Sequence, residues 1–184
     1  KDINLEQMSS TAIDLLTEKL FSQGVQIDVN IPENMMIKGL EEEMEQTLYH
    51  LFAYAINSTQ SENGEKSISV FAHKLGDVVA FDLIHSGSGF DEAFLKQRSG
   101  LGGAEQSLDI DLQICQSFLN EMQAKVQLDN KLDQNGNVVG GRIKIIFKAG
   151  TPAMANQGRL VDLKVGSKKE ILAGMMASSS SEIN

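Results

Sequence analysis

The sequence has no tryptophan, one cysteine and two prolines among its 184 residues. A single thiol, Cys115, rules out any internal disulfide framework and points to a reducing compartment. It lies in an apolar helical pattern, where a small buried hydrophobe is the expected role. Cations are also scarce: 16 Lys and Arg against 25 Asp and Glu leave a formal charge of -9. That balance disfavours nucleic acid and anionic membrane surfaces, both of which need clustered cations to displace counterions, and makes a basic partner easier to accommodate. No apolar run reaches the roughly eighteen residues of a membrane span, and the N-terminus shows no charged-then-apolar signal pattern. A chain of this length supports one full domain with its own core. Because it opens mid-sequence at Lys1, it is expected to be a fragment of a longer protein.

What is present is organised around Glu41 to Thr59. There Met44, Leu48, Leu51, Phe52, Ala55 and Ile56 recur every three or four residues, the stripe of a helix packed on a core. His50 and Tyr54 interrupt that stripe four residues apart, sharing one side of the helix near its buried face.

Before it, the spacing predicts an extended start and one helix from Leu5 to Gln23, closed by Gly24. A half-buried strand from Val25 to Ile31 follows, ended by Pro32, then a short strand at Met35 to Ile37. After the central helix, Ile68 to Ala72 and Val78 to Ile84 form a hairpin across Leu75-Gly76-Asp77. The stretch from Asp91 to Ser107 has no clean period and reads as a long loop. Ile110 to Met122 is a third amphipathic helix. Val126-Leu128 and Val138 to Phe147 form a closing hairpin around Asn135-Gly136. This order predicts an α+β two-layer sandwich in which one mixed, mostly antiparallel sheet is covered on one face by three helices. Residues 1–148 make the domain. Residues 149–184 turn to Gly, Ala, Asn and Ser and read as a linker and polar tail, within which a strand-and-helix pattern around Leu160-Val161-Asp162 is similar to the start of a receiver-like domain.

Three short motifs then fall in a telling order. Gln46, Leu51 and Ala55 frame His50 and Tyr54; His85-Ser86-Gly87-Ser88-Gly89-Phe90 follows a strand; and Asp109 to Ile114 opens the third helix, with Met122 to Leu128 and Gly140 to Phe147 behind it. Over roughly residues 2 to 148 this resembles the GHKL ATPase superfamily, specifically the catalytic ATP-binding domain of bacterial sensor histidine kinases. In that family the central helix reads Q-x-x-x-N-L-x-x-N-A, whose asparagines serve Mg²⁺ and the phosphates; here they are His50 and Tyr54. The family's D-x-G-x-G keeps Gly87 and Gly89 but has His85 for the adenine-reading Asp. Its G-L-G-L-A-I aligns with Asp109 and Asp111, so two carboxylates stand where backbone N–H groups would close on phosphates. A rival alignment takes Ser99-Gly100-Leu101-Gly102-Gly103 as the glycine motif, within the segment that matches the family's ATP lid.

The resemblance therefore implies a degenerate nucleotide site at His50, Tyr54, His85, Gly87, Gly89, Asp109 and Asp111, with Gly100 and Gly102 in the lid. Each carboxylate near 4 Å from a phosphate charge costs about 4 kcal/mol at an effective dielectric of 20. A buried adenine amino group without an acceptor costs about 1–3 kcal/mol more. Bound ATP and Mg²⁺ are accordingly not expected, and neither is a resident metal or a catalytic residue. A neutral His85 nitrogen is still able to accept a hydrogen bond from adenosine, and Tyr54 offers a ring to fill the vacated space. His50, His85 and Asp109 also carry the residue types of a metal or acid/base site. Against this stand simple space-filling by His50 and Tyr54 and helix capping by Asp109 or Asp111. The leading expectation is a non-catalytic scaffold or regulatory module of two-component or phosphorelay signalling. Its partner would be a receiver or phosphotransfer domain, and it would sit in a larger, cytoplasmic or membrane-anchored protein that can be a dimer. The alternatives are an active or weakly ATP-binding kinase domain using His85 and the Ser99 to Gly103 loop, and a pocket for another small ligand read by His50, Tyr54 and His85.

Overall fold

A computed structural model describes residues 1–59, 64–96 and 109–152. Residues Lys1–Gly150 form one compact unit. The chain runs β1 (Asp2–Asn4), α1 (Leu5–Leu15), α2 (Thr17–Ser22), β2 (Gln26–Asn30), β3 (Met36–Lys38), α3 (Glu41–Ser58), β4 (Ser67–Leu75), β5 (Val78–Ser86), α4 (Glu92–Lys96), α5 (Ile110–Glu121), β6 (Lys125–Leu132) and β7 (Val138–Lys148). The main sheet has the order β2-β4-β5-β7-β6, with β2 parallel to β4 and every other pair antiparallel. This is the α+β sandwich the sequence predicts, with a mixed, mostly antiparallel sheet.

The register explains the layering. Ile68, Val70 and Ala72 of β4 pair with His85, Leu83 and Phe81 of β5, which pair in turn with Gly141, Ile143 and Ile145 of β7. All of these are buried, so one face of the sheet is continuous with the core. The helices close it. Met44, Leu48, Leu51, Phe52 and Ala55 of α3 are fully buried, and each large side chain so buried contributes about 1.5–3 kcal/mol. Leu112, Cys115 and Leu119 of α5 and Leu5, Ser9 and Ala12 of α1 complete the layer beside it. Three acidic residues, Glu41 to Glu43, start α3, which has no side-chain cap, and they complement the partial positive charge of its free N–H groups.

Three features depart from the sequence reading. The first helix is two: it breaks at Leu16, where the Thr17 hydroxyl donates to the Asp14 carbonyl (2.9 Å) and competes with the helical ladder. The extended start pairs with β3 as a separate two-stranded sheet, braced by Lys38 on Asp2 and tied to the end of β7 through Gly150 N–H on the Met36 carbonyl. The long loop begins with a helical turn, α4, capped by the Asp91 carboxylate on the N–H groups of Ala93 and Phe94. Neither residues 97–108 of that loop nor the tail beyond residue 152 is among the described residues.

Candidate functional site

The motif residues lie on the end of β5, the C-terminal half of α3 and the N-terminus of α5, with α3 packed against both of the others. His85 is the last inward residue of β5 and is 1% exposed. Its Nδ1 lies 3.0 Å from the Ser86 carbonyl. A carbonyl only accepts, so Nδ1 carries the proton and Nε2 is left as an acceptor. Tyr54, one face of α3 away and 6% exposed, places its hydroxyl 3.2 Å from that Nε2 and donates to it. Burial holds the His85 ring below its ordinary value, opposed by the bond to Ser86, so it is neutral at pH 7. Burial pushes the Tyr54 phenol up to about 12.

The glycine turn then folds an aromatic ring over this pair. Phe90 lies parallel to Tyr54, with ring centres 6.2 Å apart and 13° between planes, and sits edge-on to His85 at 6.0 Å. Tyr54 and His85 meet edge to face at 5.4 Å. Asn130 of β6 fixes Phe90 there: its amide oxygen accepts from the Phe90 N–H and its amide nitrogen donates to the Phe90 carbonyl, both at 2.7 Å. Gly89 makes this approach with φ of +69°, and a side chain on it would come within 2.5 Å of the Asn130 oxygen. Gly141 faces the cluster from β7, where an added Cβ would stand 2.6 Å from His85 Nε2 and 3.0 Å from the Phe90 ring. Gly87 bonds the Val139 carbonyl through its N–H at 3.2 Å and holds the turn against β7.

His50 belongs to a different contact. Although it shares a face of α3 with Tyr54, its Nδ1 reaches Asp111 Oδ1 at 2.7 Å and ties α3 to the first turn of α5. The Tyr49 ring stands edge-on to it at 5.4 Å. Both partners keep about a fifth of their side-chain surface in solvent. Asp109 is the N-cap of α5 and accepts from the Asp111 N–H at 2.8 Å, so the chain's own carboxylate occupies a donor at that helix end.

The sequence-predicted residues thus divide into two clusters. Tyr54, His85, Gly87 and Gly89 are brought together, and His50 joins Asp109 and Asp111 at the start of α5. The metal or acid/base grouping of His50, His85 and Asp109 does not form, because the two histidines bond different partners. Among the described residues no three His, Cys, Asp or Glu side chains gather as a metal site. Gly100 and Gly102 lie outside the described residues. Sequence reasoning missed Asn130 and Phe90. Asn130 did leave a signal, a polar residue at an inward position of the alternating Val126-Leu128-Asn130 strand. Cys115 is fully buried, donates to the Thr47 carbonyl at 3.3 Å, and has its thiol pushed upward by burial, which leaves it inert. Two surface clefts, of about 360 and 430 Å³, lie elsewhere, along β1, α1 and the start of α3, and between α3 and Phe118.

No family model and no curated protein matches the sequence. Solved structures do. The nucleotide-free catalytic domain of histidine kinase ThkA superposes with a TM-score of 0.66 at 17% identity, covering 80% of this chain and 95% of that one. The fold is that of a histidine-kinase ATPase domain. The mycobacterial sensor histidine kinase MprB gives a TM-score of 0.63 at 9% identity, over 83% of this chain and 99% of that chain. Full-length ShkA, solved with AMPPNP, gives 0.61 at 14% identity over 83% of this chain and 32% of its own.

Proposed function

We propose that this chain is a histidine-kinase-like domain that neither hydrolyses ATP nor transfers phosphate, and that serves as a scaffold or regulatory module in two-component or phosphorelay signalling. A receiver or phosphotransfer domain is the partner this reading implies, and the cytoplasm its setting.

One observation carries the loss of nucleotide chemistry: the acceptor that an adenine amino group would need, His85 Nε2, is already bonded to the Tyr54 hydroxyl under the Phe90 ring. To admit a base, that hydrogen bond and the clamp from Asn130 to Phe90 must both open. At the other end, Asp109 uses a donor of the α5 N-terminus, and Asp111 with it adds negative charge where phosphates would come. These residues do not fit a magnesium nucleotide.

The test is a calorimetric and thermal-shift titration of the full chain with Mg-ATP and Mg-ADP to millimolar concentration. A ligand at a hundred times its Kd stabilises a fold by about 2.7 kcal/mol, roughly 5–10 °C for a domain of this size. The expected result is no shift. A saturable, magnesium-dependent shift overturns the reading and restores the active-kinase alternative.

A further inference from the structure

The sheet has a second face, turned away from α1, α3 and α5, and its chemistry is unlike the rest of the chain. By register, Phe71 pairs with Asp82 and Asp82 with Lys144, while Ile84 pairs with Arg142 in the row on one side and Ala80 with Ile146 in the row on the other. Phe71, Ile84 and Ile146 are only half-buried, and Leu75 at the end of the face is 57% exposed. Among them stand Lys125, Lys131, Arg142, Lys144 and Lys148, with Asp28, Asp82 and Asp129 as the acidic residues of the same face. A chain with 25 acidic and 16 basic residues thus gathers an excess of cations on one side of its sheet, while Glu41 to Glu43 and Glu45 crowd the start of α3 in the helical layer.

Asp82 does not neutralise the patch evenly. It is fully buried, and a single oxygen takes both Nε (2.9 Å) and Nη2 (2.7 Å) of Arg142, with Lys144 Nζ at 4.0 Å. That contact fixes the Arg142 guanidinium while leaving further N–H donors unspent among the described residues, on a side chain about one-third exposed. A cation held in place loses little freedom when it binds a carboxylate, and the planar fork suits one.

We propose that this outer face is a docking surface for an acidic protein segment that also carries apolar side chains. The cations supply charge complementarity, and the Phe71-Ile84-Ile146 strip supplies a surface worth burying. A polyanion without apolar groups fits worse, because Asp28 and Asp129 and the net charge of -9 oppose it. The inference is independent of whether nucleotide binds near α5, so the Mg-ATP titration and the experiment below fail separately.

The probe is fluorescently labelled poly(Glu,Tyr) copolymer, titrated with the full chain and read by anisotropy, with poly(Glu), a DNA duplex and phosphatidylserine vesicles as comparisons. Saturable binding to poly(Glu,Tyr), tighter than to the other three, is expected. Lys125→Glu/Lys144→Glu/Lys148→Glu should weaken it about tenfold or more, as removal of several steering charges does, while Lys19→Glu on α2 leaves it unchanged. If the triple reversal does not fold, judged by circular dichroism, Lys125→Gln/Lys148→Gln serves, with a smaller loss in the same direction. The proposal is overturned by absence of saturable binding, by equal loss in Lys19→Glu, or by poly(Glu), DNA or vesicles binding as tightly as the copolymer.

Discussion

Replacing Tyr54 with Phe removes one oxygen and tests the centre of the site. The ring stays, with its contacts to Phe90 and His85, but His85 Nε2 loses its donor in a position 1% exposed, and Nδ1 is committed to the Ser86 carbonyl. A buried acceptor left unsatisfied costs about 1–3 kcal/mol, and 2 kcal/mol lowers the Tm of a domain this size by roughly 4–8 °C. The pH dependence supplies a second and more specific signature. The Tyr54 phenol is raised from 10.0 to about 12 in the folded protein, so the unfolded chain ionises first. Its contribution is therefore fully present below pH 10 and lost as pH rises from 10 to 12, by about 3 kcal/mol for two pH units at 1.36 kcal/mol each. Tyr54→Phe lacks that loss. Urea unfolding followed by circular dichroism at pH 7 and at steps to pH 11 should show the variant weaker at neutral pH and the gap narrowing in alkali. An unchanged midpoint at pH 7 refutes the hydrogen-bonded pair, and parallel alkaline slopes refute the burial of the phenol. On the acid side the sign is opposite. The lowered His85 value means its contribution is present above 6.5 and declines as pH falls toward the folded value, and this limb should also change in the variant.

The other expectations concern packing. Gly141→Ala places a methyl group 2.6 Å from His85 Nε2 and should destabilise by about 1–3 kcal/mol, with loss of near-ultraviolet aromatic signal before loss of helix. Ser9→Ala should be neutral or stabilising by about 1 kcal/mol in the same urea assay, because the Ser9 hydroxyl on α1 is fully buried with no hydrogen-bond partner among the described residues. A clear loss of stability on that substitution would mean the hydroxyl is bonded.

Most of the fold was legible because its periods are strong. The stripe of α3, the alternation in β4, β5 and β7 and the turn glycines each stated an element and its buried side. The break at Leu16 was not legible, because Leu15 and Leu16 fit one helical stripe equally well while the structure leaves Leu15 71% exposed and buries Leu16. The second, two-stranded sheet was not legible either, since three-residue strands make no pattern of their own and β1 declares itself only by pairing with β3.

The site shows the same division. The sequence by itself singled out His85, Tyr54, His50, Asp109 and Asp111 as candidates, since their order and spacing are properties of the chain. It could not say which would touch. His50 and Tyr54 are equivalent by helical spacing, yet α5 approaches one and β5 the other, so one became a link to Asp111 and the other the donor to His85. The roles of Asn130, 40 residues from Phe90, and of Gly141 beside His85 arise only from register across β5, β7 and β6. Hydrogen bonds and ring contacts depend on distances of a few tenths of an ångström between segments far apart in the chain, and those distances are set by tertiary packing alone.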